Sequence, residues 1–280
     1  MEHHPQPPVL ANWVARLGRA EIPVLRHTAR EMARLHADED TLNARSIAHV
    51  VTGDPLMTLK LLRYLQEHKH RSQTQELMQV EQAIMMMGLN TFFREVPASP
   101  VIEDLLGDRL PALVHLLHTV HRAQRAAHYA FDWALLLHDL HAEEIRIATL
   151  LTYMSEMLMW CFNPDQMLTI RQRQDADKTL RSAAVQQEVL GFEGMALQRA
   201  LQVEWHLPRL LQQLTDPSQA QNTRVRNVTL AMNLARHSAN GWDDAALPDD
   251  YRDIAELLRI EPERVKQIVG ANADPAKKSG

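Results

Sequence analysis

The strongest constraint in this sequence is a helical spacing of apolar residues interrupted, again and again, by helix-starting punctuation. Leu56, Leu59, Leu62 and Leu65 recur at a period that lines one face of a helix, and Ile47, Ala48 and Val51 do the same just before them. Between the two runs stands Gly53-Asp54-Pro55. Asp54 is suited to accept from an orphan N–H at a helix start, and Pro55 has the preset φ of a first helical turn. Asn163-Pro164 and Asp216-Pro217 repeat the device. Composition agrees with the spacing: 9 glycines in 280 residues and 5% aromatics are too few for a turn-rich sandwich or barrel. The fold class expected is all-α.

Further helices follow along the chain. Val80 to Met87 stops at Gly88, where glycine tolerates positive φ. Met85, Met86 and Met87 point about 100° apart on such a helix, so they cannot all be core, and they are read as deformable packing. Residues 97–107, with two prolines and a glycine, read as a connection. Leu110 to His138 is helical, with Leu113, Leu116, Leu117, Val120, Gln124, Ala127 and Phe131 on one face. A second long helix is expected from Glu143 to Phe162, and a third from Asp177, as N-cap, to Val189. Glu193 to Leu214 is broken at His206-Leu207-Pro208, because Pro208 pushes the residue before it out of helical ψ. Asn222 to Ala239 and two short helices within Pro248 to Val269 complete the chain, with residues 1–8 and 271–280 expected to be disordered.

Several functions are disfavoured by simple arithmetic. Thirty basic against thirty-five acidic side chains leave a formal charge of -5, which speaks against a dedicated nucleic-acid binder. Cys161 is the only cysteine, so neither an internal disulfide nor a thiolate cluster can form, and a reducing cytoplasm fits. Between Trp160 and Phe162 it is read as a small core residue. The greasiest stretch, Leu150 to Trp160, is interrupted by Thr152, Ser155 and Glu156 and is too short to span a bilayer. His3 and His4 are too few to form a metal-binding tag. No Gly-rich phosphate loop and no Gly-x-Ser-x-Gly elbow is present. The basic groups Arg171, Arg173, Lys178 and Arg181, and Arg224 and Arg226, read first as solvated helix faces, with an acidic partner or nucleotide phosphate as the sharper option.

The order of the pieces resembles the HDOD domain, a bacterial family of non-catalytic relatives of the HD phosphohydrolases. The residues that carry it are Ile22-Pro23-Val24-Leu25, Ile47-Ala48, Asp54 to Arg63, Glu81-Gln82-Ala83-Ile84 and Met87-Gly88-Leu89. In the second half they are Ala148-Thr149-Leu150-Leu151, Glu188 to Phe192 and Trp205-His206-Leu207-Pro208. The resemblance implies an HDOD-like helical bundle in two subdomains, with Asp54, Pro55, Gly88 and Pro208 as structural positions. The HDOD domain would span 20–216, as an N-terminal subdomain 20–96 and an HD-like subdomain 108–216. A leader with a short helix (1–19), a helical extension (217–270) and a tail (271–280) would flank it.

HD hydrolases hold metal with a histidine on one helix, a His-Asp pair on the next and a later aspartate, so that the ion activates water. Here the pair falls on Thr152-Tyr153, and a phenol that stays neutral to a pKa near 10 cannot replace a carboxylate. His138-Asp139 spells the pair one helix too early and is read as part of a connection. His115, His118, His121 and His128 share one helix. The wheel puts His121 and His128 beside the apolar stripe and His115 and His118 toward solvent. The resemblance therefore implies a binding protein without metal or other cofactor, acting on a phosphorelay or cyclic-di-GMP partner, or on a small nucleotide ligand. The candidate cleft is His121, Tyr153, Glu156 and Trp205. The alternative is a divergent metal-dependent phosphohydrolase, which would need three or more of His118, His121, His138, Asp139 and His141 to converge. Nucleic acid and membrane are not expected partners.

Overall fold

A computed structural model of the chain describes residues 8–38, 40, 42–68, 79–177 and 179–271. The expected disorder of the termini, and Lys178, lie outside these residues except for Pro8 and Ala271. The helices in chain order are α1 (Pro8–Arg19), α2 (Arg26–Ala37), α3 (Ala44–Gly53), α4 (Pro55–Glu67), α5 (Val80–Met87), α6 (Leu89–Glu95), α7 (Ile102–Leu106) and α8 (Leu110–Leu136). They continue with α9 (Ala142–Leu150), α10 (Met154–Phe162), α11 (Pro164–Ala176), α12 (Ser182–Leu190), α13 (Gly194–Glu204), α14 (Arg209–Leu214), α15 (Thr223–His237), α16 (Leu247–Leu258) and α17 (Pro262–Ile268). Among the described residues the only extended pairing is an isolated bridge between Val24 and Val101. The fold is all-α.

The chain packs as two compact units, each drawn from separated stretches: 1–121 with 151–212, and 122–150 with 213–280. In the first unit Asp54 does more than cap α4. It is 1% exposed, and its carboxylate accepts from the amides of Leu56 and Met57 at 2.9 and 3.2 Å and from the Leu25 amide at 2.8 Å. The Thr28 hydroxyl adds a fourth bond. One side chain thus starts α4 and ties the entry of α2 to the α3–α4 corner. Gly88, at φ 80°, closes α5 and lets α6 start at once, a conformation a side chain would strain. Residues 97–107 hold a short helix, α7, pinned where the Ile102 amide donates to the Val24 carbonyl. Met85 and Met86 are both exposed.

Three sequence expectations need correction. The helix drawn from Glu143 to Phe162 is two helices, α9 and α10, parted at Leu151-Thr152-Tyr153. Asp177 does not start the third helix: it closes α11, its carboxylate accepting from the Thr179 amide at 2.8 Å, and α12 begins at Ser182. That Asx turn uses up the acceptor an N-cap would need. The buried face of α8 is also not the leucine-rich one. Ala112, Leu116, Thr119, Val120, Ala123, Ala126, Ala127, Ala130, Trp133 and Ala134 are buried, whereas Leu113, Leu117, Gln124 and Phe131 are only half-buried. Small side chains let a neighbouring backbone approach, so alanine can mark the packed side of a long helix.

In the second unit, α15 packs on α9 and α16, and α16 on α17. Asn227 on α15 is 1% exposed and donates to the Ala130 carbonyl at 3.0 Å. Arg125 donates to the Ser238 hydroxyl at 3.0 Å and to the Tyr129 hydroxyl at 3.1 Å, and its guanidinium lies over the rings of Tyr129 and Trp242. These ties hold residues 122–150 and 222–242 together as one piece.

Candidate functional site

The position of interest in the first unit is the break before α10. Helix α9 ends at Leu150, Thr152 is buried, and Tyr153, half-buried, becomes the N-cap of α10. A break inside an apolar run leaves backbone groups that must find partners. Gln198 of α13, 1% exposed, supplies them: its Nε2 donates to the Leu151 carbonyl and its Oε1 accepts from the Ser155 amide, both at 3.0 Å. The Ser155 hydroxyl donates to the Gly194 carbonyl at 3.1 Å. The turn that carries Thr152-Tyr153 is therefore clamped from both sides by α13.

Glu156 lies in the first turn of α10 and accepts from the Thr119 hydroxyl of α8 at 3.0 Å; the same hydroxyl also donates to the His115 carbonyl at 3.0 Å. His115 is not directed at solvent as the helical wheel implied. Its ring stacks on Trp160, 5.2 Å between centroids and 18° between planes, and its edge meets His118 at 6.3 Å. Burial against that indole, with the positive charge of Arg171 and of His118 nearby, holds the His115 imidazole below its ordinary pKa. The Trp160 indole N–H is buried and makes no hydrogen bond. His121, expected beside the apolar stripe, is exposed, as is His128.

Trp205 is 3% exposed. The Arg63 guanidinium lies 5.5 Å from its ring centroid, and Arg63 also donates to the Ala20 carbonyl at 2.8 Å and pairs with Glu67. Its indole N–H is likewise buried without a hydrogen bond. The structure thus joins Glu156 to the α8 face through Thr119, leaves His121 on the surface, and packs Trp205 into the core under Arg63. Thr119 and Gln198, which organise the site, carried no sequence signal.

The donors at the break do not fit a hard divalent ion. Thr152 and Tyr153 offer a hydroxyl and a phenol there, whereas such ions want carboxylate or imidazole ligands. Among the described residues no three His, Cys, Asp or Glu side chains are grouped to hold a metal ion. In the second unit His138 and Asp139 lie in the connection between α8 and α9, His138 at φ 54°. Asp139 accepts from Arg224 Nε at 2.7 Å and from the His141 amide at 2.9 Å. Partial burial opposes its ionisation, but those two bonds prevail and hold the carboxyl below its usual value. His141 faces Glu144 at 3.5 Å. Cys161 is buried, and burial pushes its thiol far up.

Residues 22–220 match the HDOD domain family. The chain belongs to that family. Two solved structures resemble this HDOD protein over nearly its whole length. One is the MmoQ response regulator of Methylococcus capsulatus strain Bath, 19% identical with a TM-score of 0.65, covering 85% of this chain and 98% of its own. The other is a virulence factor of Campylobacter jejuni, 16% identical with a TM-score of 0.66, covering 96% and 94%. Identities that low show a shared fold. No curated protein matches the HDOD chain at a significant level. The family is related to HD phosphohydrolases and lacks their catalytic pair.

Proposed function

We propose that this HDOD protein is a non-catalytic component of bacterial signal transduction, an output or scaffold module that works in the cytoplasm by binding. The reading is carried by Thr152-Tyr153, which the family resemblance puts at the place of the metal-binding pair and which stand on a turn clamped by Gln198. A hydroxyl and a phenol there can donate and accept hydrogen bonds but cannot lower the pKa of a bound water through a metal. The partner would be a signalling protein of a phosphorelay or cyclic-di-GMP pathway, or a small nucleotide near His121, Tyr153, Glu156 and Trp205. A response regulator among the similar folds supports this direction. No described helix is long and apolar enough to cross a membrane. The domain order that goes with the reading is HDOD at 20–216 followed by the helical extension 217–270.

The test pairs elemental mass spectrometry of protein purified without chelator with a hydrolysis assay. The substrates are bis(p-nitrophenyl) phosphate and cyclic dinucleotides, with manganese added. Substoichiometric metal and no turnover above buffer are expected. Turnover that rises with roughly one or more bound ions per chain, and is lost on His121→Ala, would replace this reading with a divergent phosphohydrolase.

A further inference from the structure

Helix α5 buries one face and leaves a sulfur-bearing face in water. Val80, Ala83 and Ile84 are buried, with α5 packed on α3, whereas Glu81, Gln82, Met85 and Met86 are exposed. Residues four apart share a helix face, so each of the two methionines stands one turn beyond a polar residue on the solvated side. Met85 is 60% exposed and Met86 57%; Met195, at 38%, is the only other exposed methionine among the described residues. Met57, Met154 and Met157 lie wholly buried in the same unit.

A methionine in the core fills gaps between neighbours, and the buried ones here have that use. Met85 and Met86 do not, because most of each side chain faces water. What they bring to the surface of α5 that leucine or glutamine would not is the thioether, a soft nucleophile that electrophilic oxygen attacks. Cys161 does not compete for such oxidants. It is buried, and burial pushes its thiol up, away from the thiolate that peroxide needs.

We propose that Met85 and Met86 form a modification site, at which peroxides convert both thioethers to methionine sulfoxide in the folded chain. A sulfur lone pair attacks one oxygen of hydrogen peroxide, and the S–O bond forms as the O–O bond breaks. The hydroxide set free takes the proton left on the sulfur-bound oxygen and departs as water. The sulfur gives up two electrons and the peroxide receives them. Each conversion turns an apolar side chain into a polar one. It does so on the face that already carries Glu81 and Gln82, so the buried face of α5 keeps its packing. The site does not depend on the non-catalytic reading: metal-dependent turnover would overturn that reading and leave this one standing.

The test treats the full chain with hydrogen peroxide and follows each methionine by tandem mass spectrometry of its peptides, with circular dichroism on the same samples. Met85 and Met86 are expected to convert about tenfold or more faster than Met57, Met154 and Met157, and ahead of Met195, while the helical signal holds. In guanidinium the rates should converge to within about threefold, since burial then shields nothing. Methionine sulfoxide reductases A and B with dithiothreitol should return both residues to the thioether. The variant carrying Met85→Leu and Met86→Leu should melt like the parent and lose only the two fast conversions. Core methionines that react at the pace of the pair overturn the proposal, as does Met195 leading the pair. So does helical signal that falls in step with the first sulfoxides, which would make the two side chains supports of the fold. A rate gap that persists in guanidinium also overturns it, because local sequence rather than exposure would then set the rates.

Discussion

Replacing Asp54 with alanine removes the acceptor of four hydrogen bonds from a site that water does not reach. The amides of Leu25, Leu56 and Met57 and the Thr28 hydroxyl would all lose it, where only 1% of the residue is exposed. A helix cap alone is worth about 1 kcal/mol. Each buried donor left unsatisfied adds about 1 kcal/mol or more, so Asp54→Ala should cost roughly 3–5 kcal/mol in urea unfolding. Asp54→Asn keeps one carbonyl oxygen and should cost less. It also exposes the charge balance: burial raises the Asp54 carboxyl above its ordinary 3.8 despite the four bonds. A carboxyl raised on folding holds its proton more tightly in the folded state, so its contribution to stability is full below pH 3.8 and is lost as pH rises through the folded value. The parent's advantage over Asp54→Asn should therefore shrink across that window. A loss under about 1 kcal/mol for the alanine variant, or a parental advantage that grows with pH just above 3.8, would refute the four-bond account.

Three further outcomes are expected. Gln198→Leu should destabilise by about 2–3 kcal/mol in denaturant melts, because the Leu151 carbonyl and Ser155 amide lose their partner at the helix break. Asp139→Asn should cost about 1 kcal/mol at neutral pH and progressively less as pH falls below the ordinary 3.8. Its carboxyl is lowered on folding, so its contribution is present above the ordinary 3.8 and fades as pH falls through the folded value. Cys161, buried with its thiol pushed up, should react with a thiol reagent only as fast as the chain unfolds, which stopped-flow labelling against urea would show.

What the sequence revealed depended on how local the determinant was. Asp54-Pro55 and Gly88 act within a few residues, and both corners could be read directly. The break at Leu151–Tyr153 was invisible because apolar spacing continues through it and its clamp, Gln198, lies 47 residues away. His115 was misjudged for a similar reason: a helical wheel ranks faces by apolar neighbours on the same helix, whereas Trp160 comes from α10. The face of α8 misled in the other direction, since leucines attract attention and Ala123, Ala126, Ala127, Ala130 and Ala134 do not. The family resemblance picked out Thr152-Tyr153, but the turn they occupy and its hydrogen-bonded frame had to come from the fold.

The way the chain is shared between its units has a consequence for how such a protein can be cut and recombined. The polypeptide passes from one unit to the other after residues 121, 150 and 212, so no single cut separates them. A chain ended at residue 220, where the family match stops, would lose α15 and with it the partners of Ala130, Asp139 and Arg125. The C-terminal segment is thus not a detachable appendage, and in a gene fusion it would have to travel with the domain as one cassette.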